Sequence, residues 1–302
     1  FKSLLDQKAL MREAPGAVAP LPCVMPLARW GLKSRIPVSC AAALYGGIMR
    51  LCGAPLERPS VISSQEVNDS IPLLRGLAPH GALMWHDAVM LEPQRITEML
   101  MREAQAGPVT IKENTPAASL VRVKDLFEVT GASGEVWRSR AVVNTLGPWL
   151  SRIDIPQYLH GERPLWCKGF NITIGRQLDP KHGIAAQSSD GRLFFCVPRG
   201  TGSAIGTWYV PDSNDGAPPH VSDEEIAAFV AAFNAALPGA HVQATEVTGV
   251  DVGRLPMLKD SPSGPQLIAN ERIHTAGLYA EVMSTKYTTF RAQGRKVLRA
   301  VR

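Results

Sequence analysis

Apolar residues recur at helical spacing in several parts of the chain, most regularly after residue 221. Five of them fall on one stripe of a helix: Ile226, Phe229, Val230, Phe233 and Leu237. Ser222 and Glu225 precede this stripe in the spacing of a capping box, so the helix is expected to begin there. The same reasoning predicts helices over residues 1–11, 39–51, 64–74 and 91–107, and a last helix that begins near Thr288.

Between Pro164 and Tyr209 the pattern changes to short strand-like runs separated by Gly and Asp turns, which predicts an antiparallel sheet. Further strands are predicted at residues 81–90, 109–114, 244–258 and 272–280, with three more between 118 and 147. The proline-rich stretch 14–26 is expected to be extended, because each proline disfavours helix in the residue before it. The order of these elements predicts a mixed α/β fold in which strand-helix-strand flanks enclose an inserted antiparallel sheet.

The composition is that of a globular protein with a substantial core. Of the 302 residues, 45% are hydrophobic and 20% are charged. The five cysteines form no CxxC pair, which favours free thiols in a reducing, cytoplasmic compartment. The seven histidines show no metal-ligand spacing, so no metal site is expected. The chain starts at Phe1 without a signal-peptide pattern, which suggests a start inside a longer gene product.

Two further features bear on partners. The net charge is +5, and five cations crowd into the last helix: Arg291, Arg295, Lys296, Arg299 and Arg302. A solvated helix face is favoured over a nucleic-acid site, because the helix dipole stabilises cations near a C-terminus.

The most apolar run, Val38 to Met49, is shorter than the ~20 residues that span a bilayer. Packing against the core is favoured for it, with a shallow membrane contact as the alternative.

The stretch RAVVNTLGPWL, residues 140–150, joins a short apolar strand to a Gly-Pro turn. In open α/β sheets, ligands bind beyond the carboxyl ends of the strands, where Asn144, Thr145, Leu146 and Gly147 are expected to lie. The competing interpretation is a structural turn in which Trp149 packs into a core. The stretch alone leaves both interpretations open.

The segment STKYTTFRAQGRKVLRAVR, residues 284–302, leads from a lysine and two threonines into a basic helix. The first turn of a helix carries unpaired N–H groups and a partial positive charge, so it stabilises an anion. Lys286, just before the helix, could contact an anionic ligand. The alternative is an ordinary C-terminal helix with a threonine cap.

Taken together, these stretches resemble the FAD-dependent glycerol-3-phosphate dehydrogenases, within the D-amino-acid-oxidase-like superfamily. AVVNTLGPWL resembles that family's VVNA[AT]GPW, and STKYTTFR resembles its GGK[LWY]TTYR. REAPGAVAPLPCVMP resembles the family's proline-rich stretch, and LWCKGFNITI resembles its KGSH strand. GRLFFCVPRGTGSAIGTWYV resembles its IGTTD hairpin, and the three stretches follow in the family's order. The resemblance therefore covers nearly the whole chain.

The resemblance implies an α/β fold of the α+β kind, with a parallel-sheet FAD layer and an antiparallel-sheet substrate domain. Residues 1–78 would form a leading helical and loop segment, 79–160 with 262–302 the FAD-binding domain, and 161–261 the substrate domain. The family's N-terminal βαβ unit, whose G-x-G-x-x-G turn cradles the FAD pyrophosphate, is missing. The chain is therefore expected to be a fragment that supplies only the ring end of the FAD site.

The resemblance also implies an activity: oxidation of a C–OH group by hydride transfer to FAD, with glycerol 3-phosphate as the substrate. It places at the cofactor Asn144, Thr145, Gly147, Pro148, Lys286, Thr288 and Thr289. Arg254 and Lys286 would bind the phosphate of this phosphorylated polyol, since paired cations suit an oxyanion. Electrons would pass to a quinone or to oxygen, with peripheral contact at the inner face of the cell membrane as one option.

Several departures from the family pattern leave the substrate open. The histidine of the KGSH strand is Asn171 here, so the proton acceptor is unassigned. The family's SGVRPL arginine aligns with Asp251, and Arg254 follows three residues later. Trp208 and Tyr209 replace a threonine and an aspartate, and their bulk favours an amine or a 2-hydroxy acid as the substrate. A non-catalytic scaffold that has lost its cofactor is the third hypothesis, supported by the missing N-terminal motif.

Overall fold

The computed structural model describes residues 2–213, 216–261 and 264–302. The helices in this part of the chain are α1 (Lys2–Glu13), α2 (Arg35–Cys52), α3 (Ser64–Ser70), α4 (Pro93–Gln105), α5 (Asp223–Ala236) and α6 (Phe290–Ala300). The strands are β1 (Val18–Pro26), β2 (Ser60–Ile62), β3 (Ala82–Met90), β4 (Ala117–Val123), β5 (Leu126–Gly131), β6 (Val136–Ser139), β7 (Val142–Asn144), β8 (Leu165–Ile174), β9 (Gly183–Gln187), β10 (Leu193–Arg199), β11 (Gly202–Asp212), β12 (Val247–Lys259), β13 (Gln266–Leu267), β14 (Arg272–Ala276) and β15 (Tyr279–Met283). These elements form two compact units.

The first unit comprises the chain up to Ile96, Gly169–Tyr209 and His220–Val252. Its strands lie in one sheet in the order β12-β8-β11-β10-β9-β1-β3-β2. The proline-rich stretch is extended, as predicted, because β1 pairs antiparallel with β3 along its whole length, from Val18↔Met90 to Pro26↔Ala82. β1 also pairs in parallel with β9, so this sheet is mixed.

Helix α5 of this unit confirms the predicted stripe and cap. The Ser222 hydroxyl accepts a hydrogen bond from the Glu225 N–H, and the Glu225 carboxylate accepts one from the Ser222 N–H. Phe229 and Phe233 are fully buried and pack on Phe194 of β10, with ring centroids 5.7 and 6.0 Å apart. Burying each large apolar side chain contributes about 1.5–3 kcal/mol, against about 1 kcal/mol for a cap. The stripe therefore fixes the helix on the sheet, and the cap fixes where it begins.

The second unit comprises Thr97–Lys168, Val210–Pro219 and Gly253–Arg302. It contains the three-stranded sheets β14-β15-β7 and β4-β5-β6. In the first of these, β15 and β7 run parallel, in the register Tyr279↔Val142 and Glu281↔Asn144. Seven buried residues form the core of the unit: Leu120, Phe127, Leu150, Ile155, Leu159, Tyr279 and Met283.

Three strand predictions were wrong in detail. Residues 109–114 form no strand; they lie in the loop between α4 and β4, with Val109 exposed, and β propensity does not make a strand without pairing. The predicted strand 272–280 is the beginning of a hairpin, because Gly277 turns β14 back into β15 with a left-handed φ of 62°. The last predicted strand before residue 147 is divided at Arg140 into β6 and β7, which belong to different sheets.

The mixed α/β class is confirmed. The division into functional domains at residues 78/79, 160/161 and 261/262 stays a prediction. Position 262, where the last segment would begin, lies outside the described residues, as does Phe1 of the first predicted helix. Within the described parts of the chain, every helix is too short or too polar to cross a membrane.

Candidate functional site

The parallel pairing of β7 and β15 brings two predicted site segments to one edge of their sheet. β7 ends at Asn144 and β15 ends at Met283. Because parallel strands share a direction, residues 145–148 and 284–289 continue from the same edge, where ligands of α/β sheets bind. All the residues expected to contact the cofactor lie in or next to these two segments.

The turn after β7 is held by the side chain of Asn144. Its Oδ1 accepts a hydrogen bond from the Leu146 N–H at 3.0 Å, and a short 3-10 helix begins at Gly147. Gly147 has a φ of 55°, and a methyl group built on it would meet no heavy atom within 4 Å. Trp149 is 53% exposed, so the interpretation in which it packs into a core is wrong. The turn thus leaves open space over Gly147, beside the exposed Thr145.

A buried polar cluster behind this turn was missed from the sequence. Asn144 Nδ2 donates to the Tyr279 hydroxyl at 2.9 Å, and that hydroxyl donates to Glu281 Oε2 at 3.2 Å. Burial, together with the neighbouring charge of Glu281, raises the pKa of Tyr279 to about 12. The same carboxylate oxygen, Glu281 Oε2, has His160 Nδ1 as a second neighbour, at 3.4 Å. The one available signal was a carboxylate inside the apolar run LYAEVM, residues 278–283.

The second segment, residues 284–289, is fastened to α6 by Gln293, which sequence reasoning also missed. Gln293 Nε2 donates to Ser284 Oγ at 2.7 Å and faces the Lys286 carbonyl at 3.4 Å. The Thr289 hydroxyl donates to the Lys286 carbonyl at 3.1 Å and makes no cap hydrogen bond to the helix, so the threonine-cap interpretation is wrong. Lys286 itself is exposed, and Thr288 is half-buried.

An open groove of about 400 Å³ lies between this sheet edge and α6. Its lining residues are Val143, Thr145, Val282, Phe290, Gln293, Gly294, Val297 and Leu298. Its walls are largely apolar, and they include Phe290, the first residue of α6, together with the Thr145 hydroxyl and the Gln293 amide. Apolar walls beside a helix N-terminus and these polar groups fit the ring end of FAD, which presents a flat apolar surface and an edge that gains negative charge on reduction.

Arg254, the other predicted substrate-binding cation, is already engaged on β12. Its Nε pairs with the Asp212 carboxylate, and its Nη1 donates to the Ala217 carbonyl. The side chains of Arg254 and Asp212 are only 8% and 16% exposed. An incoming phosphate would therefore meet a guanidinium group that already has an anionic neighbour.

Asn171 and Trp208, two of the departures from the family pattern, lie in the first unit. Asn171 Oδ1 accepts a hydrogen bond from the Thr207 hydroxyl at 2.9 Å. The Trp208 ring packs against both Phe194 and Phe229, with centroids 6.1 and 5.6 Å away, and the Arg192 guanidinium lies 4.2 Å from its centre. Trp208 is thus part of the packing beneath α5, and the idea that it narrows a substrate pocket loses its support.

Comparison with curated proteins extends the resemblance. The aerobic glycerol-3-phosphate dehydrogenase of Staphylococcus epidermidis is 23% identical to the chain over 280 residues. The enzyme of the same name from Staphylococcus haemolyticus is 22% identical over 282 residues. Each alignment covers 88% of this chain and 49% of the relative, so the chain spans about half the length of the curated relatives it matches.

Solved structures share the fold at low sequence identity. The glycerol-3-phosphate dehydrogenase from Bacillus halodurans complexed with FAD has a TM-score of 0.70 and 18% identity, over 99% of this chain and 54% of that chain. The L-alpha-glycerophosphate oxidase from Mycoplasma pneumoniae with FAD bound has a TM-score of 0.69 and 10% identity, over 99% and 78%. These similarities confirm the predicted fold, that of FAD-binding proteins of the D-amino-acid-oxidase type.

The family comparison agrees with the fold and with the donor set at the sheet edge. Residues 10–281 match the DAO family, described as FAD dependent oxidoreductase. The match covers most of the chain and confirms both the predicted family and FAD as its cofactor. The chain belongs to the DAO family of FAD-dependent oxidoreductases.

Proposed function

We propose that the whole protein oxidises a C–OH group and that its substrate is the phosphorylated polyol glycerol 3-phosphate. The observation that carries the proposal is the similarity, over 88% of the chain, to enzymes named aerobic glycerol-3-phosphate dehydrogenase. The exposed Lys286, in the segment that leads into α6, supports it, because an accessible ammonium group suits a phosphate.

In this proposal the two segments at the sheet edge hold the cofactor ring from two sides. Asn144, Thr145, Gly147 and Pro148 contribute the first side, and Lys286, Thr288 and Thr289 the second. When bound, FAD supplies the redox chemistry by accepting a hydride from the substrate carbon. The N-terminus of α6 and the Lys286 ammonium stabilise negative charge at that end of the site, and Lys286 also orients the phosphate.

Arg254 is the second proposed phosphate ligand. Its role requires that the guanidinium group serve Asp212 and the substrate together, or that the substrate displace Asp212. Asn171 is not assigned a proton-transfer role, because an amide does not take up a proton near neutral pH. The alternative substrate class, an amine or a 2-hydroxy acid, was favoured by the bulk of Trp208 and Tyr209; because Trp208 packs against Phe194 and Phe229, its support now comes from Tyr209.

Steady-state kinetics with the full-length protein test the proposal. Dye reduction is measured with glycerol 3-phosphate, glycerol, sarcosine and lactate, after the flavin spectrum of the purified protein has been recorded. We expect bound FAD, and turnover of glycerol 3-phosphate alone. Turnover of sarcosine or lactate in its place would favour the alternative, and a protein without flavin, before and after FAD is added, would favour the scaffold hypothesis.

For the electron acceptor, we propose a quinone in the cytoplasmic face of the membrane, with oxygen as the alternative. Support comes from α2, which is apolar on two opposite faces. The face toward the core carries Val38, Ala42, Gly46 and Met49. The opposite face carries Ile36, Cys40, Leu44 and Leu51, and Leu51 is 87% exposed. Trp30 and Leu32, just before the helix, are 77% and 88% exposed.

The charge around this surface suits an anionic bilayer. Residues 14–56 contain no Asp or Glu, and their cations are Arg29, Lys33, Arg35 and Arg50. Each cation near an anionic membrane surface contributes about 1 kcal/mol, and the exposed apolar side chains add to this when they enter the interface. A helix that is apolar on two opposite faces needs a partner on each face, and an anionic lipid surface suits both the exposed apolar side chains and the neighbouring cations.

Vesicle binding of the full-length protein tests this contact. We expect cosedimentation with vesicles that contain phosphatidylglycerol, a lower affinity for Leu44→Ser, and protection of the exposed Cys40 from alkylation. Leu193→Ser, at an exposed leucine of the strand β10, is the matched control and should bind like the wild type. Absence of binding, or full labelling of Cys40 with vesicles present, would count against the membrane contact and leave oxygen as the acceptor.

A further inference from the structure

We infer that Tyr279 and Glu281 are positioning residues: they fix the orientation of the Asn144 amide and, through it, the turn at residues 145–148. The inference rests on the proposed role of that turn in holding FAD. Neither residue reaches the open space over Gly147; both act from behind the turn, inside the second unit.

Three hydrogen bonds connect Glu281, through Tyr279 and Asn144, to Leu146, and in each of them the donor and the acceptor are determined. A carboxylate only accepts hydrogen bonds, so the Tyr279 hydroxyl donates its proton to Glu281 Oε2, at 3.2 Å. With its proton engaged, the hydroxyl oxygen accepts from Asn144, which must turn Nδ2 toward it, at 2.9 Å. The Oδ1 atom of Asn144 is then the one that faces the Leu146 N–H, at 3.0 Å. The carboxylate of Glu281 therefore determines which way the amide points.

Burial makes the inverted orientation of the Asn144 amide unfavourable. Asn144, Tyr279 and Glu281 are 7%, 0% and 4% exposed, so water cannot replace a lost partner. An inverted Asn144 amide would turn its NH₂ group toward the Leu146 N–H and its oxygen toward a hydroxyl whose proton is already given to Glu281. Both mismatches are costly in a buried site, because each leaves a polar group without its hydrogen bond.

The sheet supplies a rigid base for the cluster. Glu281 stands opposite Asn144 in the parallel register of β15 and β7, and Tyr279 lies two residues earlier, on the same face. The Tyr279 ring packs in the core against Phe127, with centroids 6.3 Å apart. A turn supported in this way is held in one geometry before a ligand arrives, which is the condition for tight binding.

The test uses the full-length protein, freed of flavin and titrated with FAD by fluorescence. Tyr279→Phe and Glu281→Gln keep the shape of each side chain and remove one direction-setting group. We expect each to raise the Kd for FAD about two- to tenfold, the range given by one net hydrogen bond. The double variant should lose no more than the worse single variant, because both act through Asn144. The controls Tyr158→Phe and Glu162→Gln, at exposed positions of the same unit, should bind like the wild type.

Amide hydrogen exchange of Leu146 in the flavin-free protein gives a readout that does not depend on FAD. We expect this amide to exchange faster in Tyr279→Phe and at the wild-type rate in Tyr158→Phe. Unchanged exchange at Leu146, additive losses in the double variant, or a lower Tm with an unchanged Kd would each overturn the inference. A wild type that binds no FAD would instead refute the proposed function, and with it the role in binding, while Leu146 exchange would still show whether the cluster orders the turn.

Discussion

Replacing Arg254 separates its structural role from the proposed role in phosphate binding. Arg254 and Asp212 form a largely buried ion pair, 8% and 16% exposed. Breaking a buried pair by removing one partner costs about 3–5 kcal/mol, because the remaining charge stays in a poorly solvated place. Some water still reaches Asp212, so we expect Arg254→Met to cost about 3 kcal/mol, at the low end of that range.

The double variant Arg254→Met/Asp212→Leu is expected to recover most of this loss. Replacing both partners of a buried ion pair by hydrophobic residues of similar volume is often close to neutral. If Arg254 also binds the substrate phosphate, the double variant regains stability and still shows a raised KM for glycerol 3-phosphate. The matched control is Arg199→Met, which breaks the exposed pair with Asp251 and should cost at most about 1 kcal/mol.

Denaturant unfolding and steady-state kinetics of the full-length protein measure the two effects independently. A cost below 1 kcal/mol for Arg254→Met would refute the reasoning from the buried pair. A double variant with a wild-type KM would show that Arg254 stabilises the fold without binding the substrate. In that case the phosphate contact would rest on Lys286 alone.

Further predictions concern the rest of the site. Lys286→Ala should lower kcat/KM by tenfold or more and Arg295→Ala by less than twofold, because only Lys286 lies before the helix start; equal losses would place the site elsewhere. Gln293→Leu removes the donor that fastens Ser284 and the Lys286 carbonyl, so KM should rise severalfold with an unfolding cost of about 1 kcal/mol; a wild-type KM would speak against this clamp. The pKa of Tyr279 is raised from 10.0 to about 12, so its contribution to stability is complete below pH 10 and is lost as the pH rises toward 12. In pH-dependent unfolding, the free energy of unfolding should therefore fall less over this pH range in Tyr279→Phe than in the wild type.

Local patterns were enough to predict some elements and not others. Helix α5 was predictable because its stripe and its capping box lie within sixteen consecutive residues, Ser222 to Leu237. The hairpin of β14 and β15 was missed because Gly277 interrupts an otherwise continuous strand-like run, and one glycine does not distinguish a bulge from a reversal.

The candidate site shows the same limit more sharply. The two segments at the sheet edge could be proposed from motifs, because each lies in one short stretch of chain. The cluster behind them joins Asn144 to Tyr279, residues 135 positions apart, and no spacing rule connects such positions. Trp208 was misjudged for a related reason: the face on which a strand residue lies depends on neighbours such as Phe194 and Phe229, which belong to other elements.

Gly206 of β11 precedes Thr207, whose hydroxyl donates to Asn171, and it limits which substitutions can be accepted at these positions during evolution. A side chain on Gly206 of β11 would overlap the side chain of Asn171 on the neighbouring strand β8, so the residues at these two positions constrain each other sterically. A side chain at position 206 should therefore displace Asn171 or strain the strand pairing, whereas the same change would be accommodated after Asn171 had shortened to Gly or Ala. Exchange of Asn171 for the histidine of the related dehydrogenases is, by the same reasoning, open only to lineages that have kept the glycine.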